Sequence, residues 1–286
     1  MKRSLFLVSV LVAVAASTAV APAVAKTSKP AAQTKQTVTK SALTAAQIIN
    51  KNVAARGGLK AWRAVQTLTL TGRLEAGGKK NETLPFVMKM KRPHMSRLEI
   101  AFQDQTAFQV FDGEQGWKVR PFLGRDDPEP YTPAEEKEAA GWQELDGPLV
   151  DYAKKGTKVS VIGMQSVEGH KTYELKLTLK NGDERHVWID AKSFLERKID
   201  GEPRKLDGKM RDVAIYYRDY TKEQGLTMPR VLETVVDGAL QPHKMYIDHV
   251  AINQPMEKAL FAKPGLPSQP MANISGQPIQ SAVMHP

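Results

Sequence analysis

The histidines and carboxylates of this 286-residue chain are scattered, and few have a spacing that could support catalysis or bind a metal. Two of the six histidines fall beside alternating strand patterns, His186 next to Val187 and His249 next to Asp248. The sequence contains no phosphate-binding loop, paired-cysteine motif, HExxH sequence or GxSxG nucleophile elbow. These histidines therefore fit ordinary strand positions better than a metal site or an acid–base pair, and we expect no enzyme activity, cofactor or metal.

A dense group of carboxylates lies in the proline-rich segment 125–130, RDDPEP. Calcium-binding loops place their oxygen ligands at regular intervals, and this segment lacks that spacing. It is therefore interpreted as a solvated loop rather than a calcium site. Tryptophan can line a ligand site, but each tryptophan here is expected to anchor the core instead. The four are Trp62, Trp117, Trp142 and Trp188.

The absence of cysteine and the net positive charge limit the class of protein to which this chain can belong. Without cysteine the fold cannot use disulfides, and no lipid can be attached through the cysteine that bacterial lipoproteins require. The formal charge is +10, or +8 without Lys2 and Arg3, and the basic residues are interspersed with acids rather than clustered with aromatics. A nucleic-acid partner is therefore not expected. The charge indicates a solvated surface with some attraction to anionic lipid headgroups.

Residues 1–25 have the layout of a secretory signal peptide. A positive start is followed by an apolar run from Leu5 to Ala16, and the small residues at 23–25 fit signal-peptidase cleavage. An uncleaved membrane anchor is the alternative, but the second half of the segment is rich in small and polar residues that partition weakly into lipid. We therefore expect a periplasmic protein that begins near Lys26 and is not lipid-anchored.

A single ordered domain is expected over 42–265. It lies between a flexible leader at 26–41, which carries four lysines and no acid, and a proline-rich tail at 266–286. The domain should open with a helix, because Thr44 and Gln47 fit a capping box and Gly57-Gly58 is a helix-ending signal.

From Leu68 to Ile252, apolar and polar residues alternate with a period of two. Strict alternation indicates antiparallel strands with one apolar and one wet face. Asp-Gly or Asn-Gly pairs, which are strong hairpin signals, begin at residues 112, 181, 200, 207 and 237. The pattern predicts a mainly β meander of roughly a dozen strands rather than a βαβ fold.

The strand pattern is interrupted between Phe122 and Lys155. After the acidic loop, we expect one helix from Ala134 through Trp142 to Leu145 and a second short helix at 149–153. Helices inserted into an antiparallel sheet protein must cover one face of the sheet.

An apolar face rich in Leu, Met and Phe, with few helices to cover it, can enclose a ligand cavity, and Met suits adaptable apolar surfaces. A fully packed core between sheet and helices is the alternative, and the pattern leaves both open. The expected lining residues are Leu70, Leu74, Phe86, Met88, Met90, Leu98, Ile100, Phe102, Phe108, Val110, Trp142, Leu149, Leu175 and Leu177.

Several short segments follow one another along the chain in a characteristic order and at characteristic distances. They are KRP at 91–93 with RLE at 97–99, VFDG at 110–113 with Trp117 and Pro121-Phe122, Gly57-Gly58 with Trp62, Asp219-Tyr220 with Gly225 and Pro229, and Leu260-Phe261 with Pro264. Over 42–265 this series resembles the LolA/LolB family of outer-membrane lipoprotein-sorting proteins. The resemblance implies an α+β fold, mainly β with a few helices, in which a strongly curved antiparallel sheet forms an unclosed half-barrel and helices cover its concave face.

The resemblance further implies a monomeric periplasmic carrier that holds acyl chains of lipoproteins or other lipids between sheet and helical lid. Inner- or outer-membrane transport partners are possible. The missing cysteine separates this chain from lipid-anchored members, and its greater length means that cargo and partners do not carry over. Two alternatives stay open. A lipid-sensing envelope-stress protein would need a second domain or membrane segment, and an enzyme on the same scaffold would need a catalytic constellation.

Overall fold

A computed structural model of the chain describes residues 41–75, 82–133, 135–136, 139, 144–206, 208–239 and 242–265. The predicted signal peptide, the leader up to residue 40, the tail from residue 266 and Trp142 lie outside the described residues. The described part forms two compact units, the first within 41–64 and 148–245 and the second within 65–75, 82–147 and 246–265. The prediction of one domain over 42–265 stays a prediction.

Two α-helices precede a long series of strands among the described residues. The helices are α1 (Ala45–Ala55) and α2 (Leu59–Ala64). The strands are β1 (Thr67–Glu75), β2 (Thr83–Lys91), β3 (Met95–Phe102), β4 (Gln105–Phe111), β5 (Gly116–Arg120), β6 (Arg125–Pro130), β7 (Lys158–Val167), β8 (His170–Thr178), β9 (Glu184–Asp190), β10 (Glu196–Asp200), β11 (Arg204–Leu206), β12 (Lys209–Arg211), β13 (Val213–Arg218), β14 (Thr221–Glu223), β15 (Leu226–Met228), β16 (Val231–Val236) and β17 (His243–Ile252). Short 3-10 helices lie at Pro121–Leu123 and Lys258–Phe261.

Thirteen strands form one sheet in the order β6-β5-β4-β3-β2-β1-β17-β16-β13-β10-β9-β8-β7. Strands β6 and β7 stand at the two ends of this order and are not paired with each other in the described part of the chain, so the sheet is not closed into a barrel. The pairs β11–β12 and β14–β15 form separate two-stranded sheets. The predicted fold class, mainly β with an unclosed antiparallel sheet and few helices, is confirmed.

In the first unit, α1 begins with the predicted capping box. The Thr44 hydroxyl accepts a hydrogen bond from the Gln47 backbone N–H at 3.3 Å, and the Gln47 side chain accepts one from the Thr44 backbone N–H at 2.9 Å. Because this reciprocal bonding satisfies amide groups that have no partner within the helix, it fixes where α1 starts. The buried face of α1 carries Ile48, Ile49 and Val53.

The junction between α1 and α2 is held by Arg56. Its carbonyl oxygen accepts a hydrogen bond from the Trp62 indole at 3.0 Å, and its guanidinium lies 4.4 Å from the centre of that ring. The same guanidinium pairs with Glu196 at 3.3 Å, and the Tyr220 hydroxyl donates to the Glu196 carbonyl oxygen at 3.0 Å. Two of the family-like segments, the one with Trp62 and the one with Tyr220, therefore meet here and act as scaffold.

In the second unit, the segment predicted as a solvated acidic loop is strand β6, so that prediction is wrong. Strand β6 pairs with β5, with Glu129 opposite Lys118 and Pro130 opposite Trp117. Proline is tolerated in a strand at the end of a sheet, where one side of its backbone needs no ladder partner. Ion pairs of Glu129 with Arg120 at 2.8 Å and with Arg125 at 3.1 Å further hold the strand.

The second predicted helix, at 149–153, is also wrong, because residues 148–156 form bends and turns. Asp151 has a φ of +51°, outside the helical region, and its carbonyl oxygen accepts a turn hydrogen bond from Lys154 N–H at 2.9 Å. Of the first predicted helix, the described residues 135, 136 and 139 are helical, and residue 133 just before it is helical as well, whereas Leu145 lies in a turn.

The hairpin predicted at Asp200-Gly201 is absent from the described residues as well. Strand β10 pairs with β13 rather than with the next strand along the chain, and the Gly201 N–H donates to the Val213 carbonyl oxygen at 2.7 Å. A side chain at Gly201 would collide with the Val213 side chain. Glycine is needed here for close packing and not for a turn.

Candidate functional site

In the second unit, the predicted lining residues of β1, β2 and β3 share one face of the sheet. Leu70 lies directly opposite Met88, and Met88 lies directly opposite Leu98. Residues paired in this way project from the same side, with neighbouring strands about 4.8 Å apart. The registers place a further group on that side: Leu68, Leu74, Leu84, Phe86, Met90, Ile100 and Phe102. We call this set, together with Leu70, Met88 and Leu98, the apolar face.

Exposure varies sharply within the apolar face. Most of its members are buried, including Leu74, Phe86 and Leu98. Met88, Met90 and Phe102 are instead half-buried. The two methionines lie opposite apolar or small residues, whereas Phe102 lies opposite the exposed Gln105 at the start of β4. Accessible apolar side chains surrounded by buried ones can contact an apolar ligand without a large rearrangement of the core. Both methionines can also change rotamer to fit different ligands.

Two predicted lining residues, Phe108 and Val110, lie on the opposite face of the sheet. Phe108 pairs with Glu99 and Val110 pairs with Arg97, and neither of those partners belongs to the apolar face. Phe108 and Val110 pack in a separate cluster with Val119, Met256 and Phe261. Strand β4 is buried on both faces, so a period of two in its sequence does not assign Phe108 to either side.

Three more predicted lining residues, Leu149, Leu175 and Leu177, belong to the first unit and are fully buried there. Leu175 lies opposite Val187 on β9 and opposite Val161 on β7. These side chains form packed core within that unit. Trp142 lies outside the described residues.

The apolar face ends in polar side chains that sequence reasoning missed. Leu98 lies opposite Gln109 on β4, Gln109 lies opposite Lys118 on β5, and Lys118 lies opposite Glu129 on β6. Successive cross-strand partners therefore form one row across the sheet, which is apolar on β1 to β3 and polar or charged on β4 to β6. The available signal was a polar residue at a core position in each of two short strands, QTAFQVF and GWKVR.

The charges at this polar end are paired. Lys118 Nζ lies 2.6 Å from both carboxylate oxygens of Glu135, and Arg120 donates to Glu129 at 2.8 Å. Burial alone would raise the pKa of Glu129. The hydrogen bond from Arg120 and the positive charges of Arg120, Arg125 and Lys118 outweigh burial and hold that pKa below its usual range. Glu129 is therefore ionised at neutral pH.

A second missed arrangement lies in the first unit, where His186 Nδ1 is 2.5 Å from a Glu174 carboxylate oxygen. The His186 backbone N–H also donates to Asp200 at 3.0 Å, and burial is the main reason that the pKa of Asp200 is raised. Glu174 lies opposite Trp188 and His186 lies opposite Lys176, so Glu174 and His186 are diagonal neighbours on β8 and β9, twelve residues apart in sequence. In the described ranges, no three histidine or carboxylate side chains are grouped so that they could hold a metal ion.

Within the part of the chain that the structure describes, no helix is both long and apolar enough to cross a membrane.

Comparison with solved structures finds similar folds at low sequence identity. A LolA superfamily protein from Nitrosomonas europaea gives a TM-score of 0.53 at 13% identity, covering 78% of this chain and 99% of that one. A DUF1329 family protein from Desulfovibrio piger gives 0.52 at 12% identity, covering 76% and 96%. A putative outer membrane lipoprotein-sorting protein domain from Vibrio parahaemolyticus gives 0.49 at 11% identity, covering 75% and 94%.

Two other comparisons find no relative. No protein-family model matches the sequence, and no curated protein matches it. At 13% and 12% identity, the structural likeness concerns the fold alone. The resemblance read from the sequence is thereby confirmed at that level: the chain has a fold similar to that of LolA superfamily structures.

Proposed function

We propose that this protein is a periplasmic carrier that binds acylated or otherwise hydrophobic ligands non-covalently on the apolar face of its second unit. The observation that carries the proposal is the half-buried state of Met88, Met90 and Phe102 on a face whose other members are mostly buried. The fold shared with a LolA superfamily protein supports a role in lipoprotein or lipid transport towards the outer membrane. The signal-peptide pattern of residues 1–25 supports the location.

The energetics of the proposal are favourable. Burying one methylene group contributes about 0.8 kcal/mol, so about a dozen methylenes would contribute roughly 10 kcal/mol. That figure is comparable to the cost of about 4–15 kcal/mol that association carries in lost freedom of motion. At the low end of that cost about 6 kcal/mol remains, which corresponds to a dissociation constant of roughly 40 μM without any specific polar contact.

The proposed ligand-contacting residues are the predicted lining residues that lie on the apolar face: Leu70, Leu74, Phe86, Met88, Met90, Leu98, Ile100 and Phe102. Phe108 and Val110 are left out because they pack on the opposite side of β4. Leu149, Leu175 and Leu177 are left out because they belong to the first unit. The proposal requires no catalytic step, and it takes the acyl chains of lipids or lipoproteins as the partner.

Binding of a fluorescent fatty acid to the purified mature chain tests the proposal. We expect saturable binding at micromolar concentration, weakened by Met88→Asp because a carboxylate on the apolar face would lose its hydration when the acyl chain enters. Val87→Asp is a matched control, since Val87 is also half-buried but projects from the opposite face of the same strand. Absence of binding for every chain length tried would refute the proposal. Equal weakening by both substitutions would show that the ligand does not contact the apolar face.

A further inference from the structure

The polar end of the apolar face contains two buried atoms that lack hydrogen-bond partners. Gln109 Oε1 and Arg120 Nε are both inaccessible to solvent, and neither has a partner among the described residues. The side chains belong to residues that are only 8% and 6% exposed. Since an unsatisfied buried polar atom costs about 1–3 kcal/mol, such atoms in a folded protein need an explanation.

The two atoms lie at the end of the row that carries the proposed acyl site. Gln109 is the direct cross-strand partner of Leu98, and Leu98 is the partner of half-buried Met88. Arg120 is two residues beyond Lys118 on β5, and its guanidinium pairs with Glu129, the cross-strand partner of Lys118. Arg120 therefore lies on the same side of the sheet as Lys118 and Gln109, although the register of β5 with β6 shifts between Lys118 and Arg120. From Leu70 to Gln109 there are three strand-to-strand steps, or about 14 Å. A chain lying across the sheet along this row would bring its polar end to these atoms.

The charges around the two atoms limit what that polar end can be. Arg120 is already paired with Glu129, and Lys118 is already paired with Glu135. A carboxylate or phosphate placed here would therefore meet the side chains of two glutamates as well as those of two basic residues, and would gain little net attraction. The two unsatisfied atoms need complementary partners, because the Arg120 Nε–H donates whereas Gln109 Oε1 accepts.

We propose that this polar end binds the uncharged headgroup of an acyl ester or amide that carries a nearby hydroxyl or N–H group. The ester or amide carbonyl oxygen accepts a hydrogen bond from Arg120 Nε, and the hydroxyl or N–H group donates one to Gln109 Oε1. The inference rests on the proposed function, since the acyl chain occupies the apolar face. It adds a preference for uncharged over anionic amphiphiles with the same chain.

Displacement of the fluorescent fatty acid by three ligands with the same chain tests this preference. They are 1-monooleoylglycerol, which has an ester and hydroxyls, methyl oleate, which has the ester alone, and oleate, which is anionic. We expect 1-monooleoylglycerol to bind about threefold to tenfold more tightly than methyl oleate, the range expected for one net hydrogen bond. Oleate should bind less tightly than 1-monooleoylglycerol. The hydrophobic effect alone would favour methyl oleate, so it cannot imitate the expected order.

The substitution Gln109→Leu should remove the preference for 1-monooleoylglycerol while leaving the affinity for methyl oleate unchanged or higher. Gln105→Leu is the matched control, because Gln105 projects from the same face of β4 but is exposed. Thermal unfolding of both variants checks that they fold, and the three-ligand comparison on the unchanged protein tests the inference even if a variant does not fold.

The outcomes separate this inference from the proposed function. Equal binding of 1-monooleoylglycerol and methyl oleate, tighter binding of oleate, or a preference that survives Gln109→Leu would overturn the headgroup site and leave the carrier proposal standing. Failure of the fluorescent fatty acid and all three ligands to bind would overturn both.

Discussion

Lys118 and Glu135 form a buried ion pair in which the lysine nitrogen lies 2.6 Å from both oxygens of the carboxylate. One of those oxygens also accepts hydrogen bonds from the backbone N–H and the hydroxyl of Thr132, at 2.8 and 3.0 Å. Glu135 therefore joins β5 to the helical segment that contains residues 133, 135, 136 and 139. The stability of that segment depends on a charge that belongs to the polar end of the apolar face.

Removing one partner of this pair should be strongly destabilising. Glu135→Gln leaves Lys118 as a buried charge without its counter-ion, and such changes typically cost about 3–5 kcal/mol in the free energy of unfolding. Urea unfolding measures this cost. The neighbouring substitution Glu136→Gln, at a half-buried position, should change stability by less than about 0.5 kcal/mol. Similar costs for the two substitutions would contradict a special role for the ion pair.

Gly57 should tolerate no side chain, whereas the adjacent Gly58 should tolerate one better. Gly57 has a φ of +113°, and a Cβ there would collide with the carbonyl oxygen of Gly225. Gly58 has a φ of +92° and no atom within 4 Å of the position of a Cβ. We expect Gly58→Ala to cost about 1–2 kcal/mol through backbone strain alone and Gly57→Ala clearly more. Denaturant unfolding of the two variants checks the order, which would be reversed or lost if the α1–α2 junction could shift.

The ion pair between Arg63 and Asp151 should make stability depend on acid pH. A hydrogen bond from Arg63 is the main reason that the pKa of Asp151 falls to about 2, with the charges of Arg63 and Lys154 adding to it against the effect of burial. Because the folded-state pKa lies below the usual value of about 3.9, the contribution is fully present above about pH 4. It is lost as the pH falls through about 2. In Arg63→Met, NMR titration should find the Asp151 pKa near its usual value, and an unchanged pKa would rule out Arg63 as the cause.

Export should leave a mature chain that begins near Lys26. The basic start, the apolar run and the small residues at 23–25 are the basis for this expectation. N-terminal sequencing of the periplasmic fraction checks it. Recovery of the full-length chain in the membrane pellet would mean that residues 1–25 act as an anchor.

The sequence was most informative where apolar residues occupy only one side of a strand. The alternation around Leu70, Phe86 and Leu98 predicted β1 to β3 and the face they share. It failed at β4, since Phe108 and Gln109 are both buried but on opposite sides, and burial on both faces removes the period of two. It also failed at β6, because Pro128 and Pro130 are usual in loops and only the position of the strand at the end of the sheet makes them acceptable.

The polar end of the candidate site depends on register, which a single strand does not encode. Gln109 and Lys118 become neighbours only when β4 pairs with β5 in one particular alignment, and Glu135 approaches from a helix beyond β6. A shift of one residue would send Gln109 to the opposite face. Turn lengths and the burial of neighbouring strands fix that alignment together, so no motif of a few residues predicts it.

A sheet that does not close leaves a strand at each end whose backbone groups can attract another chain and lead to aggregation. Strand β6 is poorly suited to such an attraction. Pro128 and Pro130 lack the N–H group that an added strand would need, and Asp126 and Asp127 are exposed charges on the same short strand. The acidic, proline-rich sequence of β6 thus protects this end of the open sheet against pairing edge to edge with a copy of the chain.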